Sequence, residues 1–246
     1  MSIDSPADVA ALERVGDVAR ETLRALRSAL RAGVSTLELD RVARRVFARH
    51  GARSAPALEY GFPGKVLISV NDEAVHGVPG ERVIRAGALV KLDVTPERDG
   101  YVADAAVTVA MPGAPAEARR LARCAEQALE RAIAVVAPGL PVNAVGAAVE
   151  REVRRQGFAV LHELGGHGVG RSIHEEPTVL NYFDRRFPQP LTAGLVFTIE
   201  PIISAGDSRV VAAPDGWTLR TADGSLEAHF EHTLVVAPGR PRVITA

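Results

Sequence analysis

ALVKLDVTPERDGYVADAAVTV, residues 88–109, holds two apolar runs joined by an Asp99-Gly100 pair, and each run carries one carboxylate, Asp93 or Asp104. An Asp-Gly pair between β-forming runs favours a two-residue hairpin turn. If Asp99 and Gly100 are its central residues, Arg98 pairs with Tyr101, Thr95 lies opposite Asp104, and Asp93 sits two positions along on the same face. A turn centred one residue earlier puts Asp93 directly opposite Asp104. Either way the two carboxylates share a face. Opposed side chains stand about 5 Å apart, where bare carboxylates repel and one tends to keep its proton. A bound cation removes that conflict. The neighbours Leu92, Val94, Val102, Ala105, Ala106 and Val107 argue against a solvated strand.

Outward from this hairpin the chain repeats itself. AGVSTLELDRVARRVFARHG, ending at Gly51, matches PGLPVNAVGAAVEREVRRQG, ending at Gly157, an offset of 106 residues. LVKLDV around Asp93 aligns with VFTIEP around Glu200, and DAAVTVAMPG from Asp104 resembles EHTLVVAPG from Glu231. Each half offers helices, then strands with two acidic positions. Leu12, Val15, Val18, Leu23, Leu26 and Leu30 recur at helical spacing, and Ser35 with Glu38 forms a capping box for the next helix. KVLISV, ALVKLDV and YVADAAVTV read as strands, with turns at Gly80, Gly87 and Asp99-Gly100. The expected fold class is α/β of the α+β kind: one domain over residues 1–246, with duplicated halves at about 10–112 and 117–238.

Composition excludes several function classes. The 246 residues are 47% hydrophobic with a net charge of −1, enough for a sizeable core and without a basic field for nucleic acid. No apolar run approaches the roughly 20 residues that a membrane helix needs. MSIDSPADVA lacks the basic start and apolar core of a secretory signal, so a cytoplasmic location is expected. Cys124 is the only cysteine, which rules out an intrachain disulfide and any thiolate cluster and fits a helix core.

Glu200 in LVFTIEPIIS and Glu231 in HFEHTLVVA are carboxylates inside apolar strands, where burial without a partner is costly. GGHGVGRSIHEEP, residues 165–177, supplies His167 as a neutral ligand. Four carboxylates with one imidazole make a mostly oxygen shell that suits Mn²⁺, Fe²⁺, Co²⁺ or Zn²⁺. Bridging carboxylates are consistent with two ions about 3.5–4 Å apart that hold a hydroxide as nucleophile. The chemistry expected is hydrolytic. His76, on a turn-rich stretch after Asn71 and Asp72, and His174, before Glu175-Glu176-Pro177, can each donate to a substrate carbonyl or tetrahedral oxyanion. His50, His162, His229 and His232 read as structural. The glycines at 165, 166, 168 and 170 lack the following helix of a dinucleotide loop.

The ordered motifs NDEAVHG, KLDVT, DGYVAD, GGHGVGRSIHEEP, FTIEP and FEHT resemble the type I bacterial methionine aminopeptidases over nearly the whole chain. The resemblance implies a pita-bread fold with two pseudo-symmetric halves of helices packed on curved antiparallel sheets. It implies two divalent ions on Asp93, Asp104, His167, Glu200 and Glu231, with Asp104 and Glu231 bridging. His76 is implied at the scissile amide, His174 at the carbonyl oxygen and tetrahedral intermediate, and Glu200 also as a proton shuttle. The implied activity is removal of the N-terminal methionine from nascent chains whose second residue is small, by a monomer that meets its substrate at the ribosome. Phe62 and Trp217 keep the aromatic character of the methionine pocket, whereas Pro56, Glu59, Leu67 and Ile173 stand where the family usually offers cysteine, tyrosine, cysteine and phenylalanine. Ala105-Ala106 replace usual hydroxyl residues beside Asp104. The alternatives are an aminopeptidase that cleaves before proline, whose members usually carry an added N-terminal domain, and a non-catalytic pita-bread peptide-binding module, whose members typically lose the ligands kept here.

Overall fold

A computed structural model describes residues 3–246. Helix α1 (Pro6–Ala29) starts where the Ser5 side chain accepts from the Asp8 amide, and it buries Leu12, Val15, Val18, Leu23 and Leu26 along one stripe. The expected Leu30 lies just beyond it as the C-cap. Helix α2 (Thr36–His50) opens with the Ser35–Glu38 capping box and ends at Gly51, whose φ of 62° is left-handed. Gly closes a helix this way at little steric cost. A short helix α3 (Ala55–Glu59), with Pro56 in its first turn, was not legible in the periodicity. Helices α4 (Ala116–Val135) and α5 (Val142–Arg155) open the second part of the chain, and Cys124 is buried in α4.

An eight-stranded antiparallel sheet carries both helix pairs. Its order is Glu175–Leu180, Gly165–Gly168, Val196–Ile199, Glu231–Val235, Ala105–Ala110, Leu89–Val94 and Leu67–Val70, with Arg242–Val243 attached beside Glu231–Val235. The first four strands of this order come from the second half of the chain and the last three from the first half. One core cluster unites α1 and α2 residues with Val90, Leu92, Val94 and Ala105, and another unites α4 and α5 residues with Phe197, Ile199 and Leu234. Each fully buried aliphatic side chain there contributes roughly 1.5–3 kcal/mol. Because side chains alternate, Asp93 and Glu231 must face away from the helices.

The hairpin has the first of the two registers expected. Arg98 pairs with Tyr101 and Glu97 with Val102, while Asp99 (φ 55°) and Gly100 (φ 78°) supply the positive-φ pair of a type I′ turn. The same register continues as Val94 opposite Ala105 and Asp93 opposite Ala106, so the register that sets Asp93 opposite Asp104 does not occur. YVADAAVTV, however, is not one strand. Tyr101–Val102 and Pro96–Arg98 join Arg53–Ser54 in a small separate sheet, and the main ladder resumes only at Ala105. At the break the Asp104 amide donates to the Thr233 side-chain Oγ1 at 2.8 Å, in the adjacent strand Glu231–Val235, in place of a backbone carbonyl.

Candidate metal centre

The sheet register places the carboxylates. Leu67 pairs with Asp93, Asp93 with Ala106, and Ala106 with Glu231, so these four residues form one row across adjacent strands. Ala106 is the small member between two acids. Glu200 follows the last residue of Val196–Ile199, where Ile199 pairs with His232, and so arrives beside Glu231. His167 enters from Gly165–Gly168. A Cβ on Gly166 would fall 2.4 Å from the Thr198 carbonyl, and one on Gly168 would fall 2.1 Å from the Glu176 carbonyl. These glycines let strands close around His167 and have no part in a phosphate loop.

The nine side chains given a metal, catalytic or substrate-binding role by sequence, namely Asp93, Asp104, His167, Glu200, Glu231, His76, His174, Phe62 and Trp217, line one cavity of about 390 Å³. Asp104, Glu200 and Glu231 are 6%, 8% and 2% exposed, so three carboxylates sit in a nearly dry floor. Thr95 Oγ1 donates to Asp104 at 2.9 Å, and Thr198 Oγ1 stands 3.5 Å from Glu200. His167 Nδ1 lies 2.9 Å from the carbonyl of Gly168, which fixes its proton there and leaves Nε2 as a lone pair, 3.5 Å from Glu200 Oε1. That arrangement is the usual one for a metal-ligating imidazole.

Burial, followed by repulsion from Asp104 and Glu200, raises Asp93 well above the ordinary carboxylate range; burial with the Asp104, Glu200 and Asp93 charges does the same to Glu231. Burial lifts Glu200 to about 8 and raises Asp104, with His167 opposing in both cases. Asp93 Oδ1 and Glu231 Oε1 are buried without hydrogen-bond partners. Such a set is costly as bare charges and is satisfied by cations. Two overlapping groups have the reach for it, Asp104–His167–Glu231 and Glu200–His229–Glu231, with ligand atoms within 4.8 Å of one another and Glu231 common to both.

A pH dependence follows. Above about pH 6.5 the unfolded chain carries ionised carboxylates and neutral histidines. In that window the carboxyls raised well above their ordinary range or to about 8, Asp93, Glu200, Glu227 and Glu231, take up protons on folding. Each one therefore removes about 1.4 kcal/mol of stability per pH unit until it ionises, against an opposing contribution from the buried Lys91 ammonium. Chelated protein should therefore show a Tm that falls as pH rises from 7 through about 8, the range in which Glu200 ionises, and added Mn²⁺ should raise Tm more at pH 8 than at pH 7. Thermal scans in chelator test this; a Tm that is flat or rises with pH would contradict it.

Above the floor, Phe62 meets Trp217 edge to face at 5.3 Å, and Pro56, Leu67, Val75 and Ile173 complete an apolar wall. Glu59, counted with this pocket by sequence, does not line it. Its carboxylate accepts from the Ile173 amide at 3.0 and 3.2 Å and ties α3 to the loop of residues 171–174. Tyr60 takes the wall position instead, with its hydroxyl 2.8 Å from His174 Nδ1. Donation there leaves the His174 proton on Nε2. His174 packs 4.3 Å from the His167 ring, and its pKa is lowered to about 4 by burial, His167 and His76. His76 is half-buried at φ 60° rather than an exposed loop side chain, and burial lowers its pKa too. Two residues escaped the sequence reading. Tyr60 makes its contact across 114 positions of chain, and His229, read as structural, lies 3.4 Å from Glu200 and 3.8 Å from Glu231.

Residues 10–238 match the model of metallopeptidase family M24. The chain belongs to that family. It is 36% identical over 247 aligned positions to methionine aminopeptidase 2 of Bacillus subtilis (strain 168), covering 100% of this chain and 99% of the relative, and likewise 36% identical to the methionine aminopeptidase of Escherichia coli (strain K12), of which 94% is covered. The crystal structure of methionine aminopeptidase from Thermotoga maritima superposes with a TM-score of 0.96 at 32% identity, covering 100% of this chain and 99% of that one. Prolidase from Pyrococcus furiosus, at 20% identity, 65% coverage of its chain and a TM-score of 0.78, shares the fold alone. This M24 member therefore has the pita-bread fold and is a metal-dependent hydrolase. No helix among its described residues is long and apolar enough to cross a membrane.

Proposed function

We propose that the chain removes N-terminal methionine from polypeptides whose second residue is small, with two divalent cations held by Asp93, Asp104, His167, Glu200 and Glu231. The observation that carries this reading is the convergence of four carboxylates and one imidazole on the floor of a cavity with apolar and aromatic walls. Relatives named methionine aminopeptidase across the whole chain support it. Bound Co²⁺, Mn²⁺, Fe²⁺ or Zn²⁺ would supply Lewis acidity and lower the pKa of a water.

The protein's own groups do the rest. Phe62, Trp217, Leu67 and Ile173 surround a flexible thioether side chain, which packs well on aromatic edges and irregular apolar walls. His174, neutral near pH 7, donates to the carbonyl oxygen as it gains negative charge. His76 contacts the scissile amide from the opposite loop. Glu200, which would be held ionised by the cations it binds, stands on the cavity floor where it can take a proton and return it to the departing amine. The reading extends to a cytoplasmic monomer acting on nascent chains at the ribosome, without nucleic-acid or membrane contacts; near-neutral charge and a lone cysteine support it.

Purified protein with Mn²⁺ or Co²⁺ should release methionine from Met-Ala-Ser and leave Leu-starting and Ala-Pro-type peptides intact. Release of residues that precede proline, without release of methionine, would overturn the assignment.

A further inference from the structure

His229 closes the Glu227–His229 strand and is 1% exposed. Its backbone is fixed on both sides: the amide donates to Thr108 Oγ1 at 2.8 Å, the Thr108 hydroxyl donates to its carbonyl at 2.6 Å, and Ile202 pairs with it in the strand. These bonds hold its Cα in place between the two strands, and the ring is buried. Nε2 points at two acids, 3.4 Å from Glu200 Oε2 and 3.8 Å from Glu231 Oε2, and is buried without a hydrogen-bond partner. A buried donor in that state is rare, and its natural acceptors are the carboxylate oxygens it faces.

The surroundings leave this task open. Ala105 and Ala106, beside Asp104 and between Asp93 and Glu231 in the sheet, carry no side-chain polar atom. Thr95 serves Asp104 and Thr198 approaches Glu200 at its other oxygen, Oε1, which leaves Glu200 Oε2 to His229. His167 provides the contrast. Its Nδ1 is occupied by the Gly168 carbonyl, so its Nε2 is the lone-pair nitrogen. The two imidazoles thus approach the acids from different elements, and only one has its proton fixed away from them.

We propose that His229 is a positioning residue whose Nε2–H donates to the Glu200 and Glu231 carboxylates, holding their oxygens for the cations. The inference rests on the two-cation reading above. A donor behind the ligands orients them and offsets part of their mutual repulsion, so it should act on cation affinity before it acts on turnover. Outer partners of this kind are worth about 10–100-fold in affinity or activity.

The test joins ring tautomers to binding. In Zn²⁺-loaded wild-type protein, long-range ¹H–¹⁵N correlation should find His229 protonated at Nε2 and His167 at Nδ1. By calorimetry, His229→Leu should bind Mn²⁺ about tenfold more weakly or worse, while His229→Gln, whose amide N–H reaches the same oxygens, should stay within about threefold of wild type. A His229 ring protonated at Nδ1, or a Leu variant that binds as tightly as wild type, would overturn the proposal. If the Gln variant lost as much as the Leu variant, His229 would be a direct ligand and the positioning role would be wrong. Should the Leu variant fail to fold, the wild-type tautomer and the Gln titration decide the matter. A wild-type protein that binds no divalent cation would instead sink the two-cation reading itself.

Discussion

Glu231→Ala should abolish divalent-cation binding and peptide hydrolysis together. Glu231 is the one residue common to both candidate ligand groups, is 2% exposed, and keeps Oε1 without any hydrogen-bond partner. Removing it takes away the one carboxylate that both groups share and leaves Asp93, Asp104, His167 and Glu200 without a ligand between them. The loss should exceed the roughly 10–100-fold typical of outer partners. The variant should nevertheless fold. In the metal-free protein Glu231 is a buried acid raised well above its ordinary range by burial, Asp104, Glu200 and Asp93, so its removal takes away a buried polar group that lacks a partner. The expected pattern is a Tm in chelator equal to or above wild type, no Mn²⁺ heat by calorimetry and no methionine released from Met-Ala-Ser. Retention of two tightly bound cations would show that Glu231 is not shared between them.

His174→Ala should lower kcat by about 10²–10³, as the loss of one donor to a developing oxyanion does, while cation binding stays at the wild-type level. The geometry separates the two effects. His174 lies on the cavity wall with Nδ1 at the Tyr60 hydroxyl, 2.8 Å away, and belongs to neither candidate ligand group. Because its pKa is lowered to about 4, the ring is a neutral donor from pH 6 to 8, and the defect should be nearly constant over that range. Metal content and steady-state kinetics on the same preparation check the claim. Loss of bound metal in this variant would place His174 among the ligands and remove the argument for its role on the carbonyl oxygen.

The fold and the centre were legible where sequence periodicity and local chemistry agree. The Asp99-Gly100 turn set the hairpin register, and that register carries Asp93 opposite Ala106 and brings the Thr95 hydroxyl within reach of Asp104. Carboxylates in apolar strands were readable because burial of such a group is so unfavourable that it points to a compensating partner. The break at residues 103–104 was not readable, since it depends on Thr233, a residue 129 positions away, taking the Asp104 amide. Glu59 and Tyr60 exchanged roles for a related reason. One position in a short helix decides which side chain enters the cavity, and that helix has too few residues to show a period. His229 was hidden in plain alternation: a histidine between alanine and phenylalanine in a strand looks like any packed imidazole until the distances to Glu200 and Glu231 are known.

The most direct test of the account is anomalous diffraction from crystals grown with excess Mn²⁺. Two peaks about 3.5–4 Å apart, both within bonding distance of Glu231 and flanked by Asp93, Asp104, His167 and Glu200, are the predicted result. Peaks elsewhere on the molecule, with no Mn²⁺ bound to the Glu231 carboxylate, would contradict it.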